Sequence, residues 1–402
     1  MSLFLRTVPV DEAIRVARGI ACPPPAQETV PLAEAYGRVL AVDITADVDI
    51  PGFDRSVVDG YAVRAADTTG AGEAIPSILR LSGEVLMGQP PAFSLAPGEA
   101  AYVPTGAPIP GGADAMVMVE HAESLGDQVL IKRPAAAGEN VIRRGEDFSR
   151  NSPALTRGRR LHPQDIGVLA AVGCERVPVF TRPRIGVIST GNELVPVSSV
   201  PTGSQVRDCN SVMLGAFIRE SGCIPRLYGV VRDDWETLRE ILITAAREND
   251  AIVLSGGSSK DERDLAASLI HDLGEVLVHG VAIAPGKPTI IGRCRGKPVL
   301  GLPGHPASAF VVLDVIGAPF LMVMTGESTR KVCTRRFTLA QNVPSQRGRE
   351  DYVRIRIEEG KAVPLFGKSG LLNTLVKSDG MIRIPAGSEG LEKDEQVEVI
   401  LW

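Results

Sequence analysis

The sequence is poor in the residues from which metal centres, redox sites and disulfide scaffolds are usually built. Its six cysteines (Cys22, Cys174, Cys209, Cys223, Cys294 and Cys333) are scattered without a C-x-x-C pair, and its five histidines show no ligand spacing. Neither a zinc site nor a disulfide framework is expected, and any metal would be held by oxygen ligands. No charge-free apolar run reaches the roughly 18 residues of a membrane span. Met1 to Val10 has neither a long apolar core nor a small-residue cleavage site, so a cytoplasmic location is expected. Positive charge is not in excess either: 43 Lys and Arg against 48 Asp and Glu leave a net charge of −5. That balance argues against a protein that coats nucleic acid. Two phosphate-binding fingerprints are also missing, the P-loop G-x-x-x-x-G-K-[ST] and a strand-linked G-x-G-x-x-G.

What the chain has instead is backbone-shaping residues. Forty-two glycines and 30 prolines make up about 18% of 402 residues, while aromatics supply 4%; average usage of Gly plus Pro is near 12%. The length predicts two to four domains. Helical spacing is read at 9–21 and 31–41, and again at 163–173. Between Ile50 and about Gly145, short apolar runs separated by Gly and Pro predict a small β domain. From Arg184 the pattern changes. Ile185 to Ile188 and Ala251 to Leu254 are continuous apolar runs of the kind buried on both faces of a parallel sheet. Helices follow, with Asn210 and Asp234 as expected caps, and a long apolar helix is expected from Pro306 to about Met324. Strand–helix alternation over 182–328 predicts a three-layer α/β domain. The tail, 329–402, returns to short alternating strands and predicts a small β-barrel or sandwich.

Three loops of the α/β region could carry chemistry. Ser255-Gly256-Gly257-Ser258-Ser259 follows a presumed parallel strand, where open α/β sheets bind ligands, and its glycines let N–H groups approach a phosphate. Lys287 lies between Gly286 and Pro288, a rigid turn able to aim one cation. Gly301 to Ser308 precedes the apolar helix, with Pro306 suited to its first turn; His305 there reads as a packed or solvated residue. Three such loops on one edge favour a phosphate-bearing ligand. Carboxylates in Gly-bracketed turns (Asp59, Asp147, Glu193, Asp233) are ordinary turn formers singly, but together would suit Mg²⁺ shared with phosphate oxygens.

The sequence resembles the molybdopterin molybdenumtransferase family (bacterial MoeA and the gephyrin E-domain). The resemblance is carried by Pro51 to Val63 (PGFDRSVVDGYAV), Thr105 to Pro110, Gly138-Glu139-Asn140 with Arg143 to Asp147, Ser189 to Leu194, and Asp208-Cys209-Asn210. It continues through Asp233-Asp234, Ser255-Gly256-Gly257, Pro285 to Pro288 and Gly301 to Gly304, all in family order. It implies a multidomain α/β plus β architecture. A discontinuous helical and extended N-terminal domain (1–48 and 146–181) would be interrupted by a β insertion domain (49–145). A three-layer α/β molybdopterin-binding domain (182–328) and a C-terminal β-barrel-like domain (329–402) would follow. It implies a transferase that inserts molybdenum from molybdate into adenylylated molybdopterin with Mg²⁺-assisted release of AMP, the last step of molybdenum cofactor biosynthesis. It also implies a homodimer with an inter-subunit active site and transient contact with other proteins of that biosynthesis, but no nucleic acid or membrane.

Residue by residue, the resemblance gives Ser255, Gly256, Gly257, Ser258 and Ser259 to the pterin phosphate or adenylate, with Pro303, Pro306 and Ser308 beside them. Glu193, Asp233 and Asp264 become the acidic, metal-binding group, and Lys287 the charge-neutralising cation. Asp59, Thr105 and Asp147 would face the site from the partner subunit, and Arg349 and Ser369 would contact the oxyanion. This chain departs from the family pattern at Lys260-Asp261, at Ala284 in place of a frequent Lys, at His305 in place of a more usual Asn, and at the intervening Ile142. A tungsten-inserting paralogue and a non-catalytic cofactor carrier are the alternative functions.

Overall fold

Residues Ala251–Ser255 are buried at every position, and Arg184–Thr190 at all but the first. Such strands have no solvent face and demand helices on both sides. In the computed structural model, which describes residues 6–22, 26–256, 260–329 and 332–402 and only the backbone of 260–264, they sit centrally in a six-stranded sheet. Its order is Ile224–Val231, Arg184–Thr190, Ala251–Ser255, Lys297–Leu302, Ile290–Cys294 and Gly274–His279. The first four strands are mutually parallel and the last two are antiparallel additions.

The two layers of helices follow from alternation along the strands. Ile185, Val187, Ala251 and Val253 face a core shared with Val10–Ile20, Asn210–Glu220 and the helix beginning at Pro306. Ile188, Ile252 and Leu254 face Trp235–Glu248 and Lys260–Leu273. The expected long apolar helix is present as Pro306–Val312, a π-turn at Leu313–Gly317, and Ala318–Thr325. By length and a mean hydropathy of 2.1 it could cross a membrane, but 67% of that window is buried inside the protein. It is read as a core helix.

The β insertion is a six-stranded sheet ordered Ala115–Met118, Gly60–Val63, Glu99–Val103, Ser77–Glu84, Gln128–Ile131 and Ala122–Leu125, curled as a half-barrel. In the tail, Glu350–Glu358, Lys361–Pro364, Thr334–Leu339, Gln396–Leu401 and Gly380–Ile384 follow one another. Pairing of the last with the first closes a five-stranded barrel. Closure leaves no free edge.

Two local expectations are corrected. Residues 31–41 are not a helix: Gln27–Pro31 is a strand paired with Arg176–Phe180, followed by one turn at Leu32–Glu34. Val39 and Leu40 are then held in β-bridges to Arg160 and Val179. Nor does Asn210 cap its helix. Asp208 Oδ1 accepts the Ser211 N–H at 3.0 Å instead, which frees the Asn210 amide for the site. Asp234 does cap, accepting the Thr237 N–H at 2.9 Å.

Candidate functional site

All the loops singled out in the α/β region leave the same edge of the sheet. Ser255 pairs with Leu302 at the carboxyl ends of their strands, and His279 ends opposite Ile290. The segments after Ser255, His279 and Leu302 therefore converge there. Between them and the C-terminal barrel lies a cavity of about 500 Å³. Gly256, Pro303, Ser308 and Lys287 line it from the α/β domain, and Arg349 and Ser369 from the barrel. Six residues chosen from the sequence thus come together.

The Lys287 turn is braced by its own backbone. The Lys287 carbonyl accepts N–H groups from Val281 and Thr289, both at 2.9 Å, and the Thr289 hydroxyl donates to the Gly286 carbonyl at 2.7 Å. The Ala284–Pro285 peptide is cis, and Gly286 has φ of +127°. A Cβ at Gly286 would also lie 2.3 Å from Val312 Cγ2, so only glycine fits. The lysine is exposed at the cavity wall.

The barrel is tied to this turn. Ile283–Ala284 runs parallel to Glu350 and Asp351, and the Glu350 N–H donates to the Ala282 carbonyl at 2.8 Å. Arg349 is thereby delivered to the cavity. It is ion-paired with the buried Asp351, Nε lying 3.0 Å from Oδ1, while Asp351 Oδ2 accepts the Ser345 hydroxyl at 2.7 Å. Ser369 is fixed twice: its carbonyl accepts the Ala307 N–H at 3.1 Å, and its Oγ lies 2.8 Å from His305 Nδ1. Among the described residues none lining the cavity is a carboxylate, while Lys287, Arg347 and Arg349 are cationic. Hydroxyl donors beside cations are an arrangement that suits an anion.

Ser255 lies just beneath. It is buried, and its hydroxyl accepts from Asn210 Nδ2 at 2.8 Å while the same nitrogen donates to the Gly304 carbonyl at 2.7 Å. Asn210 therefore couples two of the loops. Gly257, Ser258 and Ser259, and the side chain of Asp264, lie outside the described residues. Pro306 occupies the first helical position but is not on the cavity wall.

The remaining acids lie elsewhere. Asp233 accepts the Thr190 hydroxyl and the Asn192 N–H, farther along the same edge, and the half-buried Glu193 carboxylate lies against Gly191. Among the described residues no group of three His, Cys, Asp or Glu side chains could hold a metal. Asp59, Thr105 and Asp147 belong to the insertion and its stalk, off the cavity wall. Asp59 Oδ1 accepts the Thr105 N–H at 2.7 Å and hydroxyl at 3.0 Å, which holds its carboxyl below the usual range. Asp147 is exposed, its N–H donating to the Ile50 carbonyl.

Comparison with known proteins finds three matching regions along the chain. Residues 8–173 match the MoeA N-terminal region (domains I and II), 186–323 a probable molybdopterin-binding domain, and 336–402 the MoeA C-terminal region (domain IV). The chain belongs to the MoeA family. It is 32% identical over 408 residues to the molybdopterin molybdenumtransferase of Bacillus subtilis, covering 98% of this chain and 94% of that one. To molybdopterin molybdenumtransferase 2 of Mycobacterium tuberculosis it is 34% identical, covering 92% and 94%. A crystal structure of the MoeA protein of Pyrococcus horikoshii OT3 superposes with a TM-score of 0.86 at 34% identity, covering 99% of this chain and all of that one. MoeA membership confirms the expected architecture of α/β domain, β insertion, N-terminal region and C-terminal barrel.

Within that MoeA frame, sequence reasoning missed Asn210, Asp351 and the pairing of His305. The signal for Asn210 was present, since it lies in a quoted motif, but it was spent on a helix cap. Asp351 and His305 act through contacts between the α/β domain and the barrel, which local pattern does not report.

Proposed function

We propose that this protein is a molybdopterin molybdenumtransferase that takes molybdate and adenylylated molybdopterin, inserts molybdenum at the dithiolene and releases AMP. Family membership supports a transferase of molybdenum cofactor biosynthesis. The observation that carries the finer reading is the cavity wall with Lys287, Arg349, Ser308 and Ser369 and, among the described residues, no carboxylate. Both substrates are anionic, and such a wall suits a tetrahedral oxyanion beside phosphate groups.

In this reading Lys287 and Arg349 bind the oxyanion and hold it against the pterin, and the Ser308 and Ser369 hydroxyls donate to its oxygens. Fixed charges that need no reorganisation stabilise negative charge developing as the phosphoanhydride opens. Asp351 keeps Arg349 aimed, and Asn210 holds the Ser255 and Gly304 loops in register. Glu193 and Asp233 fit the one or two carboxylates that Mg²⁺ takes when substrate phosphates complete its shell. When bound there, Mg²⁺ would neutralise charge on the departing phosphate. Asp59, Thr105 and Asp147 are off their own chain's cavity wall, which fits their supply by a second copy in a homodimer. A cytoplasmic location suits soluble substrates of this kind.

The test is direct. Purified protein with Mg²⁺, molybdate and adenylylated molybdopterin is expected to release AMP and yield active cofactor. Tungstate run in parallel decides metal preference. Tight pterin binding without AMP release would overturn the enzymatic reading in favour of a carrier.

A further inference from the structure

Of the groups around the cavity, one contact is unexplained by anion binding alone. His305 belongs to the loop before Pro306–Val312 and is its N-terminal flanking residue, yet its side chain makes no cap bond. Instead its Nδ1 lies 2.8 Å from Ser369 Oγ, across the boundary between the α/β domain and the barrel. The ring also lies near Gly370, where an added Cβ would be 3.9 Å from His305 Cδ2. Both His305 and Ser369 line the cavity.

The Ala307 N–H already fixes where the Ser369 backbone sits, but a backbone bond does not choose among the three staggered rotamers of a serine. The imidazole does. Direction matters as well. If the hydroxyl donated to His305, its proton would be spent and only lone pairs would face an incoming anion. If His305 Nδ1–H donates, the serine oxygen is satisfied as an acceptor and its O–H is free. Lys287, Arg347 and Arg349 surround the same space, so the expected occupant is an anion that needs that proton.

We propose that His305 is a positioning residue that, donating through Nδ1–H, turns the Ser369 hydroxyl toward the cavity as a donor to the bound oxyanion. This rests on the reading of the cavity as an oxyanion site, and it concerns how one of its donors is aimed. His305 itself need not touch substrate. The bond also joins the two domains at the cavity mouth, so loss of aim should appear in oxyanion binding before it appears in turnover.

The experiment is a double-mutant cycle read in the KM for molybdate and in kcat, with full-length protein. His305→Ala is expected to raise the molybdate KM about tenfold, the scale of one hydrogen bond to a charged group, with kcat within about twofold. His305→Asn, which keeps an N–H donor, is expected to recover most of the loss. Ser369→Ala should cost at least as much, and adding His305→Ala to it should cost nothing more. Additive losses in the double variant, or failure of Asn to rescue, would overturn the proposal. Wild-type protein that does not respond to molybdate would overturn the oxyanion reading itself, an outcome distinct from a responsive wild type with an indifferent His305→Ala. Thermal melting of each variant separates unfolding from misaiming: a His305→Ala protein that melts as wild type and keeps its KM also refutes it.

Discussion

The β insertion and the α/β–barrel cavity hold charged residues in opposite ways. In the insertion and its stalk, Asp49, Asp54 and Asp59 each accept two hydrogen bonds. Asp49 accepts the Arg150 N–H at 2.8 Å and Arg144 Nε at 2.7 Å; Asp54 accepts the Arg144 N–H and Arg143 Nη1, both at 2.8 Å. Asp59 holds Thr105. Each carboxyl is thereby held below its usual range, with the backbone N–H as the leading cause. These acids clamp turns. In the cavity no acid among the described residues lines the wall, and Asp351, which supports it, stands behind Arg349. Charges that hold the insertion are consumed by backbone N–H groups, whereas at the cavity Arg347 and Arg349 pair with acids that do not line the wall, Glu389 and Asp351.

The strongest way to break that contrast is to remove an aimed charge. Lys287→Ala is expected to lower AMP release by about 10²–10³-fold, as for loss of a donor to a developing anion. Because Lys287 is exposed, stability should change by no more than about 0.5 kcal/mol, so rate and melting together decide whether the lysine serves ligand or fold. A smaller effect sharpens the clamp side. Asp59→Ala frees Thr105 and should cut AMP release about tenfold, while Asp59→Asn, still an acceptor for the Thr105 N–H, should restore most of it. Equal losses would mean that the charge itself is used. The smallest effect is a titration. The Asp59 carboxyl is depressed in the fold, so its contribution is present above the ordinary value and lost only as pH falls through the lowered one. The Thr105 amide resonance should therefore shift with a midpoint below 3.8, and a midpoint at or above 3.8 would remove the clamp.

The sequence made the sheet legible because Ile185 to Ile188 and Ala251 to Leu254 are apolar throughout, and only a doubly covered strand tolerates that. The Lys287 turn was legible for a similar reason: Pro-Gly-Lys-Pro permits few backbone paths. Residues 31–41 misled because Pro31 suits a helix start and a strand end alike. Its strand partner, Arg176–Phe180, lies far along the chain, and helical periodicity cannot see it. Asp208 and Asn210 both suit a cap; which one serves depends on Ser255 and Gly304 arriving beside Asn210. Arg349 and Ser369 were named through family resemblance. What aims them, Asp351 and His305, is set by docking of the barrel on Ile283–Ala284 and on the loop before Pro306.

The central claim is that the cavity between sheet edge and barrel receives an oxyanion. Calorimetric titration of molybdate into the full-length protein tests it without needing turnover. The account predicts saturable binding that weakens at least tenfold in Lys287→Ala and again in Arg349→Ala. Binding to both variants as tight as to wild type would contradict it.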